Sequence, residues 1–280
     1  MGDELPGAQG HQEHPPHFSA VIADGRAAPA WQGYYRVPQL RRWQRAIATR
    51  FSCRAFLGPA DVSQLAALEY AAQRVCLPGT RIALSARGAD SLVIPVPLFP
   101  GFKGLQQYAV ILAHRDLPRA GLLAGVSGEA FVLEAAHLGV GSCWMTGNYR
   151  RSRARALARE GEAVMAVIPL GKPLDPHGAK HRTRRDLRAL CQDDPAGWPH
   201  WAYKAAEAVR QAPSALNRQP WRMSCAGNTL RLASPRFGGI DDGIAVMHME
   251  AAAFAWKRTW RFGQDGRSLL LQAEETHDIA

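Results

Sequence analysis

The segment GEAFVLEAAHLGVGSCWMTG, residues 128–147, predicts a long apolar helix that ends in a glycine-rich turn. Its apolar positions over 128–138 favour a buried helix, and Gly139 suits the left-handed backbone conformation in which many helices end. A second segment, MEAAAFAWKRTW at 249–260, repeats the pattern, because a tryptophan follows the Glu-Ala-Ala triplet at the same spacing in both places. The two segments therefore indicate a chain built from two similar halves.

The repeat extends to the elements that precede each long helix. AAQRVCLPGTRIAL at 71–84 and AEAVRQAPSALNRQPWRM at 206–223 both run from a predicted helix through a proline into a predicted strand. Chance similarity between two alanine-rich helices is the alternative explanation, and this second match argues against it. Two α+β halves packed face to face would form a single-chain pseudo-dimer.

The composition is that of a folded protein with a basic surface. The chain has 280 residues, of which 47% are hydrophobic, and this allows one large domain or two small ones. The net charge of +10 favours anionic partners such as phosphorylated cofactors or nucleic acid, although a solvated basic face gives the same balance. No nucleic-acid motif with interleaved aromatic residues and no membrane span is visible in the sequence. We therefore expect neither nucleic acid nor a membrane as a partner.

The cysteines and the first residues bear on location and metals. Five cysteines occur without a Cys-x-x-Cys pair, so reduced thiols in a cytoplasmic protein fit better than a zinc or disulfide framework. The start of the chain lacks the basic and apolar regions of a signal peptide. His11, His14 and His17 form only a weak metal-binding pattern, and we expect no metal site.

The predicted elements divide the chain into five parts. These are a flexible N-terminal tail at 1–38, a first half at 39–174, a basic connector at 175–197, a second half at 198–262 and a C-terminal tail at 263–280. In the first half the sequence predicts helices at 43–49 and after Asp61, and strands at 81–84, 92–96, 108–113 and 164–170. In the second half it predicts a helix at 203–211, a hairpin at 221–233 and a helix at 244–256.

Four segments carry groups suited to an anionic, planar ligand. In extended chain Arg50, Ser52 and Arg54 share one side, where two guanidinium groups and a hydroxyl could bind a phosphate or a polyol. The loop at 212–221, APSALNRQPW, is stiffened by prolines and offers short polar side chains. The glycines of 139–147 allow backbone amides to approach a ligand, and KHRTRR at 180–185 is basic. Taken singly, each segment also fits an ordinary turn or a solvated surface.

Together these segments resemble the FMN-dependent nitroreductase family, and more closely its single-chain, internally duplicated members. The resemblance covers about residues 40–262; APSALNRQPW is its most specific part, and RFSCRAF at 50–56 and SGEAFVLEAAHLGVGSCWMTG at 127–147 occur in the expected order. It implies an α+β nitroreductase-like fold whose two duplicated halves form a pseudo-dimer with FMN between them. It also implies that NADH or NADPH reduces the flavin, which then passes electrons to nitro, quinone or related small-molecule acceptors in a ping-pong cycle.

The resemblance also implies which residues contact FMN. Arg50, Ser52 and Arg54 match a motif on the phosphate, ribityl chain and ring edge, and Lys180 and Arg182 match a later pair on the phosphate. Met145, Thr146 and Gly147 match the backbone stretch near the flavin N5, and Lys103 falls near a ring-contacting lysine. Pro213, Ser214 and Asn217 match the loop that a partner subunit lays on the isoalloxazine. No catalytic side-chain acid or base is assigned, and protons would come from water.

The motifs are complete for one pocket only. The first half has CLPGT at 76–80 where the loop with serine and asparagine would recur, and the second has AFAWKRTW at 253–260 in place of the glycines. We therefore expect one FMN per chain and a monomer. The alternatives are a flavoenzyme of the same fold with other chemistry, such as dehalogenation, azoline oxidation or flavin breakdown, or a non-catalytic flavin-binding or basic interaction protein.

Overall fold

The computed structural model of the chain describes residues 31, 33–89, 92–94, 101–253, 260–265 and 268–273. These residues form an α+β fold with two antiparallel sheets. Its helices are α1 (Val37–Thr49), α2 (Val62–Val75), α3 (Ala120–His137), α4 (Arg151–Arg155), α5 (His200–Gln211) and α6 (Ile240–Ala253). Its strands are β1 (Phe56–Gly58), β2 (Thr80–Ser85), β3 (Gln107–His114), β4 (Gly141–Ser142), β5 (Glu162–Pro173), β6 (Arg222–Ala226), β7 (Thr229–Ala233), β8 (Trp260–Asp265) and β9 (Ser268–Ala273).

The first sheet has the strand order β1-β5-β3-β2, and β4 pairs with the end of β5. All residues of β3 except the last are buried, which explains its continuous apolar sequence. Successive side chains of a strand point to opposite faces, so Ala109 and Ile111 join the main core while Val110 and Leu112 join a second apolar cluster. The predicted strands at 81–84, 108–113 and 164–170 are confirmed as parts of β2, β3 and β5.

The second sheet has the order β6-β7-β9-β8, with every pair antiparallel. The predicted hairpin at 221–233 is confirmed as β6 and β7. β9 lies in the segment that the sequence indicates as a C-terminal tail, 263–280, and it pairs with β7 along its length. Successive side chains of β9 point to opposite faces of the sheet, and Leu269 and Leu271 on one face are completely buried against the core.

Helices α3 and α6 run side by side in the same direction and touch through glycines. Gly121 lies against Gly238, and one turn further along, Gly125 lies against Gly243. A Cβ atom on Gly125 would strike the carbonyl oxygen of Ile240, and one on Gly243 would lie 2.8 Å from the Cα of Gly125. The two backbones are therefore in direct contact, and every residue of α3 from Leu122 to Ala135 is buried.

The predicted helices are present, and several are longer than expected. α1 begins at Val37 rather than at residue 43, because Trp31 and Tyr35 are buried just before it, and the Tyr35 hydroxyl donates to the carbonyl of Val75 at 2.9 Å. The rest of the predicted N-terminal tail, with its histidines, lies outside the described residues. α6 begins at Ile240, and residues 254–259 of the predicted helix also lie outside them.

The predicted strand at 92–96 is not formed in its described part. Only residues 92–94 are described, and there Val93 makes a single bridge to Tyr149. The sequence places Pro95 and Pro97 in this stretch, and proline cannot donate to a strand ladder. None of the helices within the described ranges is long and apolar enough to cross a membrane.

Replacing Gly125 with alanine tests the close contact between α3 and α6. The new methyl group would strike the Ile240 carbonyl, so the helices must separate. Overpacking of a core costs about 1–3 kcal/mol, and we expect a loss of about 3 kcal/mol in the free energy of unfolding by urea. Gly197→Ala is the matched control, because a Cβ there meets no heavy atom within 4 Å. Equal stability of the two variants would contradict the contact.

Candidate functional site

The chain that leaves α1 runs between the glycine segment and Lys103. The backbone N–H of Cys53 donates to the carbonyl of Ser142 at 2.9 Å, and the N–H of Lys103 donates to the carbonyl of Arg54 at 3.0 Å. Ser52, Arg50 and Arg54 are all close enough to Cys143 to influence the pKa of its thiol, which burial raises. The fold thus brings together the predicted residues of 50–54, Lys103 and the glycine segment.

The connector joins this region to the proline-containing loop of the second half. Arg182 Nη1 donates to the carbonyls of Ile47 and Arg50 at 2.9 and 2.8 Å. One residue further, the carbonyl of Thr183 accepts from Asn217 Nδ2 at 3.1 Å, and Arg184 Nη1 donates to Asn217 Oδ1 at 3.1 Å. Residues predicted in both halves therefore meet across 182–184. The side chain of Lys180, in a 3-10 turn before them, is exposed.

The loop at 213–219 has an unusual backbone. Leu216, Asn217 and Gln219 have positive φ angles of 52°, 54° and 46°, which only glycine adopts without cost. The loop is held by hydrogen bonds, because the Ser214 hydroxyl accepts from the N–H of Gln219 at 2.8 Å and the buried Gln219 Oε1 accepts from the N–H of Arg185 at 3.1 Å. Such strain persists where the surrounding structure fixes it, and it is concentrated at functional sites.

Four arginines whose charges influence one another lie where these segments meet; Arg50, Arg182, Arg184 and Arg210 form what we call the arginine cluster. Burial, together with repulsion from Arg50, lowers the pKa of Arg182 and that of Arg184 to about 10. Among the described residues, only Arg210 of the cluster has a carboxylate within hydrogen-bond distance, Glu207 Oε2 at 2.8 Å. Partly buried groups of like charge repel one another, and an anion bound among them would offset this repulsion. The cluster is therefore suited to an anionic ligand.

Arg50 is the most deeply buried member of the arginine cluster. Its side chain is 1% exposed, and none of its three guanidinium nitrogens has a hydrogen-bond partner. The nearest carboxylate oxygen, Oε1 of Glu129, lies 3.9 Å from Nε, and burial lowers the pKa of Arg50. A buried donor without an acceptor costs about 1–3 kcal/mol, and more when it is charged. The group is thus a strong candidate to receive an anion.

Glu129 does not neutralise Arg50, because it is paired with a histidine of the other half. The Nδ1 atom of His248 lies 2.9 Å from the carbonyl oxygen of Ala208, which can only accept, so Nδ1 carries a hydrogen. Nε2 lies 2.8 Å from Glu129 Oε1, and this contact requires one proton between the two groups. Whichever group carries that proton, the pair has no net charge, and the positive charge of Arg50 stays unbalanced.

Sequence reasoning had not selected Glu129, His248 or Trp144. Trp144 Nε1 donates to Glu129 Oε2 at 2.6 Å, and Glu129 and His248 are both completely buried. The available signal was an ionisable residue inside an otherwise apolar helix, which is rare unless the group is paired. Burial lowers the pKa of His248, and its contact with Glu129 opposes that shift.

A cavity of about 390 Å³ lies beside this network, at the ends of α1 and α3. Arg50, Phe51 and the glycine segment from Gly139 to Ser142 line it, but no residue of 213–217 does. A second cavity of about 490 Å³ has Thr146 at its edge. Thr146 and Gly147 are exposed, whereas Met145 is buried and its N–H donates to the carbonyl of Val167 at 2.9 Å.

The cysteines are not reactive thiolates at neutral pH. Burial raises the pKa of every one of them: to about 11 for Cys53 and Cys225, to about 12 for Cys76 and Cys191, and also upward for Cys143. Among the described residues no group of histidines, cysteines and carboxylates is arranged to hold a metal ion. The described side chains therefore point to anion binding rather than to thiol chemistry.

Fold and site define an α+β protein with a buried cationic site where its two sheet-containing parts meet. Within that class the chain belongs to the family described as “Putative TM nitroreductase”, whose sequence model matches residues 43–253. The crystal structure of a “putative nitroreductase” from Thermotoga maritima MSB8 is similar in fold, with a TM-score of 0.60 and 23% identity over 82% of this chain and 92% of that one.

Other solved structures match at lower similarity. A “putative nitroreductase in complex with FMN” from Desulfovibrio desulfuricans has a TM-score of 0.43 and 17% identity over 56% of this chain and 98% of its own. An “FMN-dependent nitroreductase” from Clostridium difficile R20291 has a TM-score of 0.38 and 17% identity, covering 46% of this chain and 87% of its own. No curated protein matches this sequence.

Replacing Glu129 with alanine tests the buried network. The change leaves Trp144, His248 and Arg50 without the carboxylate they share, and breaking a buried ion pair costs about 3–5 kcal/mol. We expect a loss of that size in the free energy of unfolding, measured with urea. Glu69→Ala, at an exposed position of α2, should change stability by less than about 0.5 kcal/mol. A Glu129→Ala variant as stable as the parent would refute the arrangement.

Proposed function

We propose that this chain is an FMN-dependent oxidoreductase of the nitroreductase type, with one FMN held where its two halves meet. The observation that carries the proposal is the buried, unbalanced charge of Arg50 within the motif that the family resemblance assigns to the phosphate. A phosphate monoester carries nearly two negative charges and three acceptor oxygens. It would therefore supply the negative charge and the hydrogen-bond acceptors that the arginine cluster lacks. When bound, FMN would supply the two-electron chemistry, and the protein would supply binding, orientation and electrostatics.

The residues of the site would divide this work. Arg50 would bind the phosphate after its side chain turns from Glu129 toward the cavity that it lines. Arg182 donates to carbonyls at the end of α1 and so would hold the Arg50 backbone in place, while the exposed Lys180 is free to add charge. Ser52, Arg54 and Lys103 would contact the ribityl chain and ring edge.

The remaining predicted residues would enclose the ring. The exposed backbone of Thr146 and Gly147, after the buried Met145, would lie near the flavin N5. Pro213 and Ser214 would contact the ring, since the strained loop presents a fixed surface. Asn217 would act partly by holding that loop against the connector, because its side-chain amide already forms hydrogen bonds with Thr183 and Arg184.

The topology supports an internal duplication. In each half a helix is followed by two paired strands, a long buried helix and a later strand that pairs with the second of the two. The series are α2-β2-β3-α3-β5 and α5-β6-β7-α6-β9. The central helices α3 and α6 run side by side in the same direction, as a pseudo-two-fold axis parallel to them requires. We therefore propose a single-chain pseudo-dimer that functions as a monomer.

The electron donor would be NADH or NADPH, and the acceptor a nitro- or quinone-like small molecule. Donor and acceptor would occupy the same open flavin face in turn, which gives ping-pong kinetics. The purified chain should be yellow, contain one FMN per monomer by absorbance and mass, and lose its visible absorbance when a nicotinamide nucleotide is added without oxygen. A yellow protein that neither nucleotide reduces would contradict the proposed activity, and a colourless protein that takes up no FMN would contradict the cofactor.

Two substitutions in different halves test whether the pocket is shared. Arg50→Ala should weaken FMN binding at least about tenfold, since a charge-assisted hydrogen bond contributes about 1.5–3 kcal/mol. Asn217→Ala should also lower the affinity for FMN, because the loop loses its ties to the connector. Arg41→Ala, exposed on the same helix α1, is the control for net charge. If Asn217→Ala keeps full flavin affinity and turnover while remaining folded, the shared pocket is wrong.

A further inference from the structure

The second cavity, of about 490 Å³, lies between α4 and the start of β5. Its rim carries four arginines, Arg115, Arg151, Arg155 and Arg159. Its lining also includes Tyr149 and the partly buried Val164 and Met165, so that an aromatic and apolar surface lies beside the charged groups. Thr146, the residue proposed to lie near the flavin N5, forms part of the same wall.

The protein compensates the positive charge of this cavity only in part. Within the described residues, none of the four arginine side chains makes a hydrogen bond or an ion pair. Two carboxylates also line the cavity, but Glu162 is bound by Arg81, whose Nε lies 2.7 Å from Oε1. Glu162 also lies within electrostatic range of Arg159, so four arginines face two carboxylates in the lining, which leaves two positive charges in excess.

We infer that this cavity binds the phosphorylated adenosine half of NADPH and makes NADPH the preferred electron donor. The inference rests on the proposed function, because the nicotinamide at the other end of the dinucleotide would have to reach the flavin past Thr146. Tyr149 and the apolar wall suit a purine, whose faces are flat and apolar. The arginines suit the 2′-phosphate, which NADH lacks and whose geometry guanidinium groups match.

The expected size of the preference for NADPH over NADH depends on how exposed the four arginines are to solvent. Arg151 and Arg155 lie on one side of α4, four residues apart, and both are exposed. Exposed charges are screened by water and salt, so each arginine contributes less than a buried one would. A preference for the 2′-phosphate of about tenfold is therefore expected, and it should decrease as salt is added.

Adenosine 2′,5′-bisphosphate is the direct probe, because it carries the 2′-phosphate but no nicotinamide. Calorimetric titration of the full chain, loaded with FMN, should show it binding about tenfold more tightly than 5′-AMP. Adenosine 3′,5′-bisphosphate, which represents nucleotides of the coenzyme A type, should bind more weakly than the 2′,5′ isomer. Equal affinity for the two bisphosphates, or for 5′-AMP, would overturn the inference.

Variants of α4 identify the site. Arg155→Ala should weaken binding of the 2′,5′-bisphosphate by about fivefold at low salt, and Arg151→Ala provides a second test if the first variant is unstable. Arg153→Ala is the matched control, since Arg153 is exposed on the same helix but does not line the cavity. The affinity of Arg153→Ala for the 2′,5′-bisphosphate should stay within about twofold of the parent, because this change removes a positive charge that does not contact the ligand. An equal loss in Arg153→Ala and Arg155→Ala would mean that the helix acts only as diffuse charge, which overturns the inference.

The outcomes separate this inference from the proposed function. A yellow protein that NADH and NADPH reduce with equal efficiency overturns the nucleotide site and leaves the flavin proposal intact. A preference for NADPH that decreases in Arg155→Ala, but not in Arg153→Ala, supports the site. Selective binding of the 2′,5′-bisphosphate by a chain that takes up no FMN supports the cavity as a nucleotide site while contradicting the flavin proposal.

Discussion

The rest of the structure depends on the glycine contact between α3 and α6. Because Gly125 and Gly243 have no side chains, the two backbones touch, and residues one turn further along face each other across a short gap. That spacing allows Glu129 to reach His248 directly. The same two helices carry the apolar core that both sheets cover. A wider separation would break the one polar contact between α3 and α6 on which the charge balance at Arg50 depends.

A buried polar network between packed helices lowers the stability of the fold unless every donor and acceptor in it has a hydrogen-bond partner. Here one member of the network has none. Glu129 accepts from Trp144 and shares a proton with His248, and His248 also reaches Ala208. Within this network, Arg50 is the member whose buried donors have no acceptor. Partly satisfied networks destabilise a fold more than an apolar core would. The arrangement is therefore better explained as a site prepared for an anion than as a device for stability.

Local patterns in the sequence predicted much of the fold, but not the contacts between distant residues. The apolar run at 108–113, the glycine-ended helix at 128–138 and the hairpin around Gly227-Asn228 follow from periodicity and turn chemistry. The motif residues were predicted to converge, and the connector at 182–184 brings them together. The inward orientation of Arg50 and the pairing of Glu129 with His248, 119 positions away, could not be predicted, because both depend on how the halves pack. β9 was missed because only three leucines mark it.

Two glutamates at matching positions of the sequence repeat have different surroundings. Glu134 and Glu250 occupy the same place in the repeated Glu-Ala-Ala triplet. Glu134 accepts from Arg42 and Trp43 of α1, whereas neither oxygen of Glu250 has a hydrogen-bond partner among the described residues. Burial raises the pKa of Glu250 well above its usual value, because the charged form loses its contact with water. The segment before α5 contains only short 3-10 turns, so no second helix equivalent to α1 supplies cations there. Since the arginine motif follows α1 directly, the proposed phosphate site depends on a helix that has no counterpart in the described segment before α5.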